Sequence, residues 1–510
     1  MTTSTMTTPP MAGPPASPPL PTSRGAGRFP LSRRDALLLA AAVLACLAAG
    51  VGTAASPLIA LLVTAVLALG IAIAVHPPLA AYLLVGLTPL IVGIDRGRVV
   101  PLLRPNEVLL VLCAGALIVR AAWELRTGGV RLRPRLGLVA ASLVLMAFCN
   151  SVVPLLWMAV RHQPISADDL SYAAVLWKFL GLYAVVRYAV RTESHAMRTL
   201  WVSMIAGAVV AVVAILQSVQ LFGIDTLLQT LYAPFGDTSV LSASRGSATL
   251  GLAAATGDLM IFNLALAAGF WRRYGFRPLI IAPLAVLFVA GIVSSGQFST
   301  VLGLIVAIVA LGIVFRRADI PIAIGVVGLG ACAALAPVVA TRLIGFQGAS
   351  GLPDSWVGRL DNLRGYFWPR LLAHDNFLLG VQPSARVPSP DTLALPWIWI
   401  ESGYTWLFWG GGVPLFAAFV LFVIVTARQS LALARRPGAV GITATAVYVA
   451  VIVVAVLMLF DPHITYRGSA DMLFVLLAVM ASLGSGAGAA GHDCPGGRPD
   501  PSVSSTEVEP

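Results

Sequence analysis

Residues 438–460 read GAVGITATAVYVAVIVVAVLMLF, a run without a single charged side chain. A helix needs about 20 apolar residues to cross the roughly 30 Å of hydrocarbon in a bilayer. The run exceeds that length and is apolar on every face, a pattern typical of helices that have no contact with water. It therefore predicts a transmembrane helix.

The whole chain has the same character. Its 510 residues are 58% hydrophobic and only 11% charged, whereas a soluble domain carries about 25% charged residues. This composition excludes an ordinary soluble protein. We predict an all-α polytopic integral membrane protein with about 14 transmembrane helices, within a range of 12 to 14, and one large extracytoplasmic loop. The predicted spans begin near Ala36, Pro57, Leu79, Val108, Leu136, Leu170, Leu200, Ala248, Pro278, Thr300, Ile320, Tyr404, Gly438 and Met472.

The polar stretches divide the chain into five predicted parts. Residues 1–33 are rich in Thr, Pro, Ser and Gly and predict a disordered cytoplasmic tail. A transmembrane bundle (34–340), a large extracytoplasmic loop (341–402), C-terminal transmembrane helices (403–490) and a second disordered cytoplasmic tail (491–510) follow. Arginines in short loops concentrate on one side, which predicts a multi-pass plasma-membrane protein with both termini in the cytoplasm.

The basic residues bear on possible partners. The net charge is +11, and Lys178 is the only lysine. The arginines form short clusters between apolar runs rather than a continuous basic face, so we expect no nucleic-acid partner. No Walker A, GxGxxG, HExxH or CxxC pattern occurs, and we predict neither a cofactor nor a metal site.

Three predicted outer loops carry the polar residues that chemistry would need. The first reads YAPFGDTSVLSASRGSATLG (232–251) and contains Arg245. The long loop contains SWVGRLDNLRGYFWPRLLAHDNFLLGV (355–381) and PWIWIESGYTWLFWGGG (396–412), and the last loop reads FDPHITYRGSAD (460–471). Arginine forks bind phosphate and carboxylate groups, which makes these loops the candidate functional regions.

This layout resembles the O-antigen ligase and Wzy-type polysaccharide polymerase superfamily over roughly residues 200–425. An arginine precedes a mid-chain span, and an Arg-x-x-x-Trp stretch lies in a late outer loop. Arg364 to Trp368 has that form, although Arg359 is an equally good counterpart. FLLGVQP around Gly380 is similar to the family's glycine stretch without its second glycine, and Glu401 stands at the entry to the next span.

The resemblance implies a metal-independent membrane glycosyltransferase. It would polymerise or ligate polyprenyl-pyrophosphate-linked glycans at the outer membrane face, in cell-surface or exopolysaccharide biosynthesis. Its partners would be that glycan donor, a glycan or lipid acceptor, and membrane lipids. Ligases of the family usually carry His where this chain has Glu401, which favours a polymerase or a divergent member over a lipopolysaccharide ligase. The family's Ser-Arg at a span start is replaced by SSGQFST, with Gln297 and no arginine.

The residue roles follow from the same resemblance. Implied catalytic residues are Glu401, Arg245, Arg359 and Arg364, and implied substrate-binding residues are Arg370, His463 and Arg467. Glu401 has an alternative structural interpretation as the ion-pair partner of a loop arginine or as a cap at a helix start. Lys178 and Asp258 lie within predicted spans, where an ionisable side chain indicates either a function or a pairing with each other or with the backbone.

Two other functions fit parts of the sequence. A transporter or flippase of lipid-linked sugars would also need many spans and intramembrane charges, but transporters commonly show internal repeats, which this sequence lacks. An inverting transferase using a polyprenyl monophosphate would need an acidic pair in the first outer loop. That loop offers Asp95 and Glu107, which are not adjacent.

Overall fold

The computed structural model describes residues 50, 56–95, 103–127, 137–232, 245–275, 279–344, 354–390 and 396–486. The two predicted tails and most of the span predicted from Ala36 lie outside these ranges. The first described α-helices are α1 (Pro57–Val75), α2 (Pro78–Ile91), α3 (Pro105–Arg126), α4 (Leu138–Val160), α5 (Ala167–Ala173), α6 (Val175–Ala189), α7 (Glu193–Ser218) and α8 (Ile224–Leu231). They are followed by α9 (Ala253–Tyr274), α10 (Ile281–Ser294), α11 (Phe298–Phe315), α12 (Asp319–Ala334), α13 (Ala336–Ile344), α14 (Asp354–Asn362), α15 (Trp368–Leu372), α16 (Asn376–Leu379), α17 (Gly403–Leu433), α18 (Gly438–Leu457) and α19 (Ser469–Gly486).

The chain divides into two compact units. The first, Met1–Leu67, contributes the beginning of α1, whose leucines Leu58, Leu61 and Leu62 are exposed. The second, Ala68–Pro510, contains the candidate site residues and all the helices from α2 onward. Every contact described below lies within the second unit.

Eight helical segments are long and apolar enough to cross a membrane. They are α3, α4, the consecutive pair α5 and α6, α7, α9, α11, α17 and α18. Five shorter apolar helices add to them within the described ranges: α1, α2, α10, α12 and α19. The protein is thus an all-α membrane protein, as the composition predicts, whereas the number of spans and the side on which the loops lie stay predictions.

Helix α9 lies at the centre of the second unit and is buried along its whole membrane-spanning window. Its small residues allow neighbouring helices to approach closely. A Cβ on Gly257 would lie 2.0 Å from Thr300 of α11, and one on Gly269 would lie 3.1 Å from Ile442 of α18. Helix α9 is therefore packed closely against α11 near its start and against α18 near its end.

The segment that was predicted as a large loop contains its own secondary structure. We call residues 354–390 and 396–402 the cap. It contains α14, a π-helical turn (Leu363–Phe367), α15, a 3₁₀ turn (Ala373–Asp375), α16 and a hairpin of β1 (Arg386–Pro388) and β2 (Trp397–Trp399). This hairpin is the one β-sheet in the part of the chain that the structure describes.

Helix α17 is interrupted where it meets the cap. Gly411 is extended and Gly412 has φ 64° and ψ −155°, a combination that essentially only glycine adopts. The break frees the carbonyl of Trp409, which accepts the backbone N–H of Val381 at 2.7 Å. In return the Trp409 indole donates to the Ser384 carbonyl at 2.8 Å. The glycine run thereby fastens the cap to the helix bundle.

Candidate functional site

Arg359 joins two carboxylates that are far apart in the sequence. Its Nη1 donates to Asp461 Oδ2 at 2.7 Å, and its Nε lies 3.6 Å from Glu401 Oε1. Asn362, one helical turn further along α14, approaches the second oxygen of Glu401 at 3.4 Å. The three charged side chains therefore form one network between the cap and the end of α18.

Local structure explains why these residues meet. Glu401 ends the extended chain that follows β2, and Ser402 caps α17 by accepting the N–H of Thr405 at 3.3 Å. Asp461 follows α18, whose end is tied to α17 because the Tyr404 N–H donates to the Met458 carbonyl at 3.1 Å. Glu401 and Asp461 are thus held side by side, and α14 delivers Arg359 between them.

Arg245 reaches the same place from a different loop. Its neighbour Gly246 donates a backbone hydrogen bond to Ser294 at 2.9 Å and packs so closely that a Cβ would lie 2.8 Å from the Ala214 carbonyl. This contact fixes Arg245 at the edge of a pocket of about 60 Å³. The pocket is lined by Arg245, Gly296, Gln297, Phe298, Ser299, Trp356, Arg359 and Phe460.

The cluster has an uneven distribution of charge. Arg359 has two carboxylate partners, whereas Arg245 has none among the described residues. Burial lowers the pKa of Arg245, and the positive charge of Arg359 lowers it further. Burial also opposes the charge of Arg359, but Asp461 and Glu401 outweigh that effect and raise its pKa. The pocket therefore contains a half-buried cation without a counter-ion in the described chain, which suits an anionic ligand.

Glu401 is the accessible carboxylate of the network. Its side chain is 32% exposed, compared with 9% for Asp461. Burial raises the pKa of Glu401, Arg359 lowers it, and the nearby Asp461 raises it again, with a net upward shift. A carboxylate with a raised pKa binds a proton more readily, so Glu401 is the better candidate for a base.

A second pair, Asp258 and His463, lies next to this network in the interior of the protein. Asp258 of α9 lies 2.7 Å from His463 Nδ1, and both side chains are fully buried. The ring of Tyr466 packs on His463 with 4.7 Å between centroids, and the backbone N–H of His463 donates to the Asp461 carbonyl at 2.8 Å. His463, which the sequence assigns to substrate binding, reaches the pocket only through these neighbours.

The remaining predicted site residues lie elsewhere. Arg364 and Arg370 are exposed on the cap. The ion pairs with Glu401 and Asp461 are formed by Arg359 and by neither of these two arginines. Arg467 is half-buried near Tyr172, together with Arg386. The structure thus brings Arg245, Arg359 and Glu401 together and leaves these three arginines outside the pocket.

Sequence reasoning missed several functional neighbours. Asp461 stands in the quoted FDPHITYRGSAD loop, but nothing in its spacing indicates contact with Arg359. Gln297, noted only as a replacement for a family arginine, lines the pocket. Lys178 pairs with Asp471 at 3.6 Å rather than with Asp258. Asp95 and Glu107 do not form an exposed acidic pair, since both contact Arg104.

The contents of the site limit the chemistry it suits. Among the described residues, no group of three or more His, Cys, Asp and Glu side chains could hold a metal ion. The space between Glu401 and Asp461 is occupied by the guanidinium of Arg359.

Comparison with protein-family models, with curated proteins and with solved structures finds no match for this chain.

Proposed function

We propose that this membrane protein is a metal-independent glycosyltransferase that polymerises or ligates polyprenyl-pyrophosphate-linked glycans at the outer face of the plasma membrane. The observation that carries the proposal is the shared pocket of Arg245 and Arg359, with Glu401 beside Arg359. Two cations and an accessible carboxylate are the groups that such a transfer needs.

The two arginines would bind the pyrophosphate of the donor. A guanidinium presents a planar fork of donors that matches phosphate oxygens. Arg245 lacks a carboxylate partner in the described chain, so an incoming anion would supply its counter-charge. As the bond between the sugar C1 and the pyrophosphate oxygen breaks, negative charge grows on that oxygen, and the arginines stabilise it.

Glu401 would activate the acceptor. Its carboxylate takes the proton of an acceptor hydroxyl while that oxygen forms the new bond to C1 of the donor sugar. The polyprenyl pyrophosphate leaves with the electron pair of the broken bond. Base catalysis of this kind contributes typically 10² to 10⁴-fold to a rate. Asp461 keeps Arg359 in place by a 2.7 Å hydrogen bond.

The first test uses full-length protein in liposomes with an undecaprenyl-pyrophosphate-linked oligosaccharide, and product size is followed by gel. We expect Arg245→Ala and Arg359→Lys to lose most of the transfer, because lysine lacks the planar fork. Arg364→Ala tests the other Arg-x-x-x-Trp counterpart and should retain transfer. Arg428→Ala, an exposed arginine of α17, is the matched control.

Two results would overturn the proposal. One is transfer at the wild-type rate in both Arg245→Ala and Arg359→Lys. The other is the absence of any new glycosidic product, with the lipid-linked sugar appearing instead in the opposite leaflet. The second result would support a transporter or flippase, which the ionisable residues Lys178 and Asp258 within helices of the bundle also favour.

A further inference from the structure

The hairpin of the cap places two tryptophans on the same face as Glu401. From Trp397 to Ser402 the side chains alternate strictly between accessible and buried. Ile398, Ile400 and Ser402 point inward and are at most 8% exposed. Trp397, Trp399 and Glu401 lie on the other face, because successive side chains of an extended strand point to opposite sides.

Hydrogen bonds keep this stretch extended as far as Glu401. Arg386 pairs with Trp399 and Pro388 with Trp397 in the antiparallel hairpin. Beyond the strand itself, the Ile400 N–H donates to the Ala385 carbonyl at 3.0 Å. An extended chain advances about 3.4 Å per residue, so the three accessible side chains follow one another at intervals of about 7 Å.

The indole rings are held in position by Arg386, which is paired with Trp399 and projects from the same face of the hairpin. The Arg386 guanidinium lies 4.2 Å from the ring centroid of Trp397 and 5.3 Å from that of Trp399. Arg386 is itself fixed by two hydrogen bonds to Asp168, of 2.9 and 2.7 Å. Trp397 nevertheless remains 37% exposed. Rings that are fixed yet accessible can bind a ligand with little further loss of side-chain entropy.

We propose that Trp397, Trp399 and Glu401 form a binding track for the acceptor glycan. This inference rests on the proposed function and specifies where its acceptor binds. The apolar C–H face of a sugar ring packs on an indole face, and successive rings along a chain would occupy the two tryptophans. The terminal hydroxyl of the glycan then lies at Glu401, beside the arginine pocket.

The test measures binding of lipid-free, fluorescently labelled oligosaccharides released from the lipid-linked pool of the host cell. Full-length protein in liposomes is titrated, and anisotropy of the label is recorded. We expect Trp397→Ala and Trp399→Ala each to weaken binding about five-fold or more, as loss of an aromatic contact predicts. The phenylalanine variants should stay within about two-fold of wild type, since they keep a ring.

A matched control separates the track from a general membrane-interface role of tryptophan. Trp123 of α3 is 61% exposed and lies outside the cap. Trp123→Ala should bind the oligosaccharide as wild type does. Equal binding by wild type and both alanine variants of the track would overturn the proposal. If Trp399→Ala fails to fold, as judged by thermal unfolding, Trp397→Ala and Trp399→Phe carry the comparison.

Failure of the track and failure of the proposed function give different results. Transfer with an unchanged acceptor KM in both alanine variants overturns the track and leaves the transferase function intact. Oligosaccharide binding that depends on the tryptophans, without any transfer product from wild type, refutes the transferase function and supports the track as a glycan-binding site. A raised acceptor KM with unchanged donor binding supports both.

Discussion

Arg359, rather than Arg364, meets the two carboxylates because of helix geometry. The two arginines are five positions apart, which on an α-helix corresponds to directions about 140° apart. The π-helical turn from Leu363 to Phe367 then buries Phe367 against Trp409, with 5.1 Å between ring centroids. Arg364 is left exposed on that turn. A short motif that fits either arginine cannot resolve this difference in direction.

The raised pKa of Glu401 leads to a prediction about both the transfer activity and the stability of the protein. Burial raises its pKa in the folded protein, so the base is ionised, and transfer rises, only as pH increases through that raised value. Below the pKa that Glu401 has in the unfolded chain, its carboxyl is protonated in both the folded and the unfolded protein. The contribution of the raised pKa to the free energy of unfolding is then fully present. That contribution is lost as pH rises through the folded pKa.

We therefore expect Glu401→Gln to lose about 100-fold or more of the transfer rate, with a Tm at pH 8 equal to or above that of wild type. The measurements are a pH–rate profile and thermal unfolding at pH 4 and pH 8. A lower Tm for the variant at pH 8 would contradict this account and favour a structural role for Glu401 in the Arg359 ion pair.

At the scale of elements, the broken helix α17 joins the cap to the bundle. Gly380 of the cap packs against the break so closely that a Cβ would lie 2.8 Å from the Gly411 nitrogen. A Cβ on Gly411 would lie 2.4 Å from the Cys149 carbonyl of α4. The cap, α17 and α4 thus meet at one point, where Gly380 and Gly411 leave no room for a side chain.

Gly412→Ala should destabilise the protein by about 1–3 kcal/mol or more, because alanine is strained at this backbone conformation. Its Cβ would also lie 2.3 Å from the Leu378 carbonyl. Thermal unfolding in detergent measures the effect. Gly325→Ala in α12, where a Cβ has nothing within 4 Å, is the control and should unfold at or above the wild-type Tm. Equal values for the two variants would refute the strain argument.

At the scale of the whole molecule, the arginine distribution predicts that the cap lies outside the cell. In a cysteine-free background, Asp361→Cys on the cap should react with a membrane-impermeant maleimide in intact cells. Arg435→Cys, between α17 and α18, should react only after permeabilisation. Both positions are exposed, so access across the membrane decides the outcome. The reverse pattern would invert the predicted topology and remove the cap from the outer face.

The apolar runs predict the helices well, and the polar loops predict the site less well. Helix α18 begins at Gly438 as predicted, directly after Pro437 and where Glu193 accepts the Ala439 N–H at 2.9 Å. Helix α9 begins at Ala253 rather than near Ala248, since a 3₁₀ turn ending at Gly251, with φ 69°, intervenes. The contact between Arg359 and Asp461 spans 102 residues and depends on how helices pack, which local sequence does not encode.

The buried pair of Asp258 and His463 has a consequence for biogenesis. His463 is synthesised 205 residues after Asp258. Asp258 stands in the second turn of α9, and an unpaired aspartate within a span opposes membrane insertion, by roughly 2.5–3.5 kcal/mol at the helix centre and by less towards the ends. In the folded protein the whole spanning window of α9 is buried among other parts of the chain. Helix α9 therefore gains its full stability only when the C-terminal helices emerge from the ribosome. Truncation before His463 would leave α9 dependent on the translocon or on chaperones.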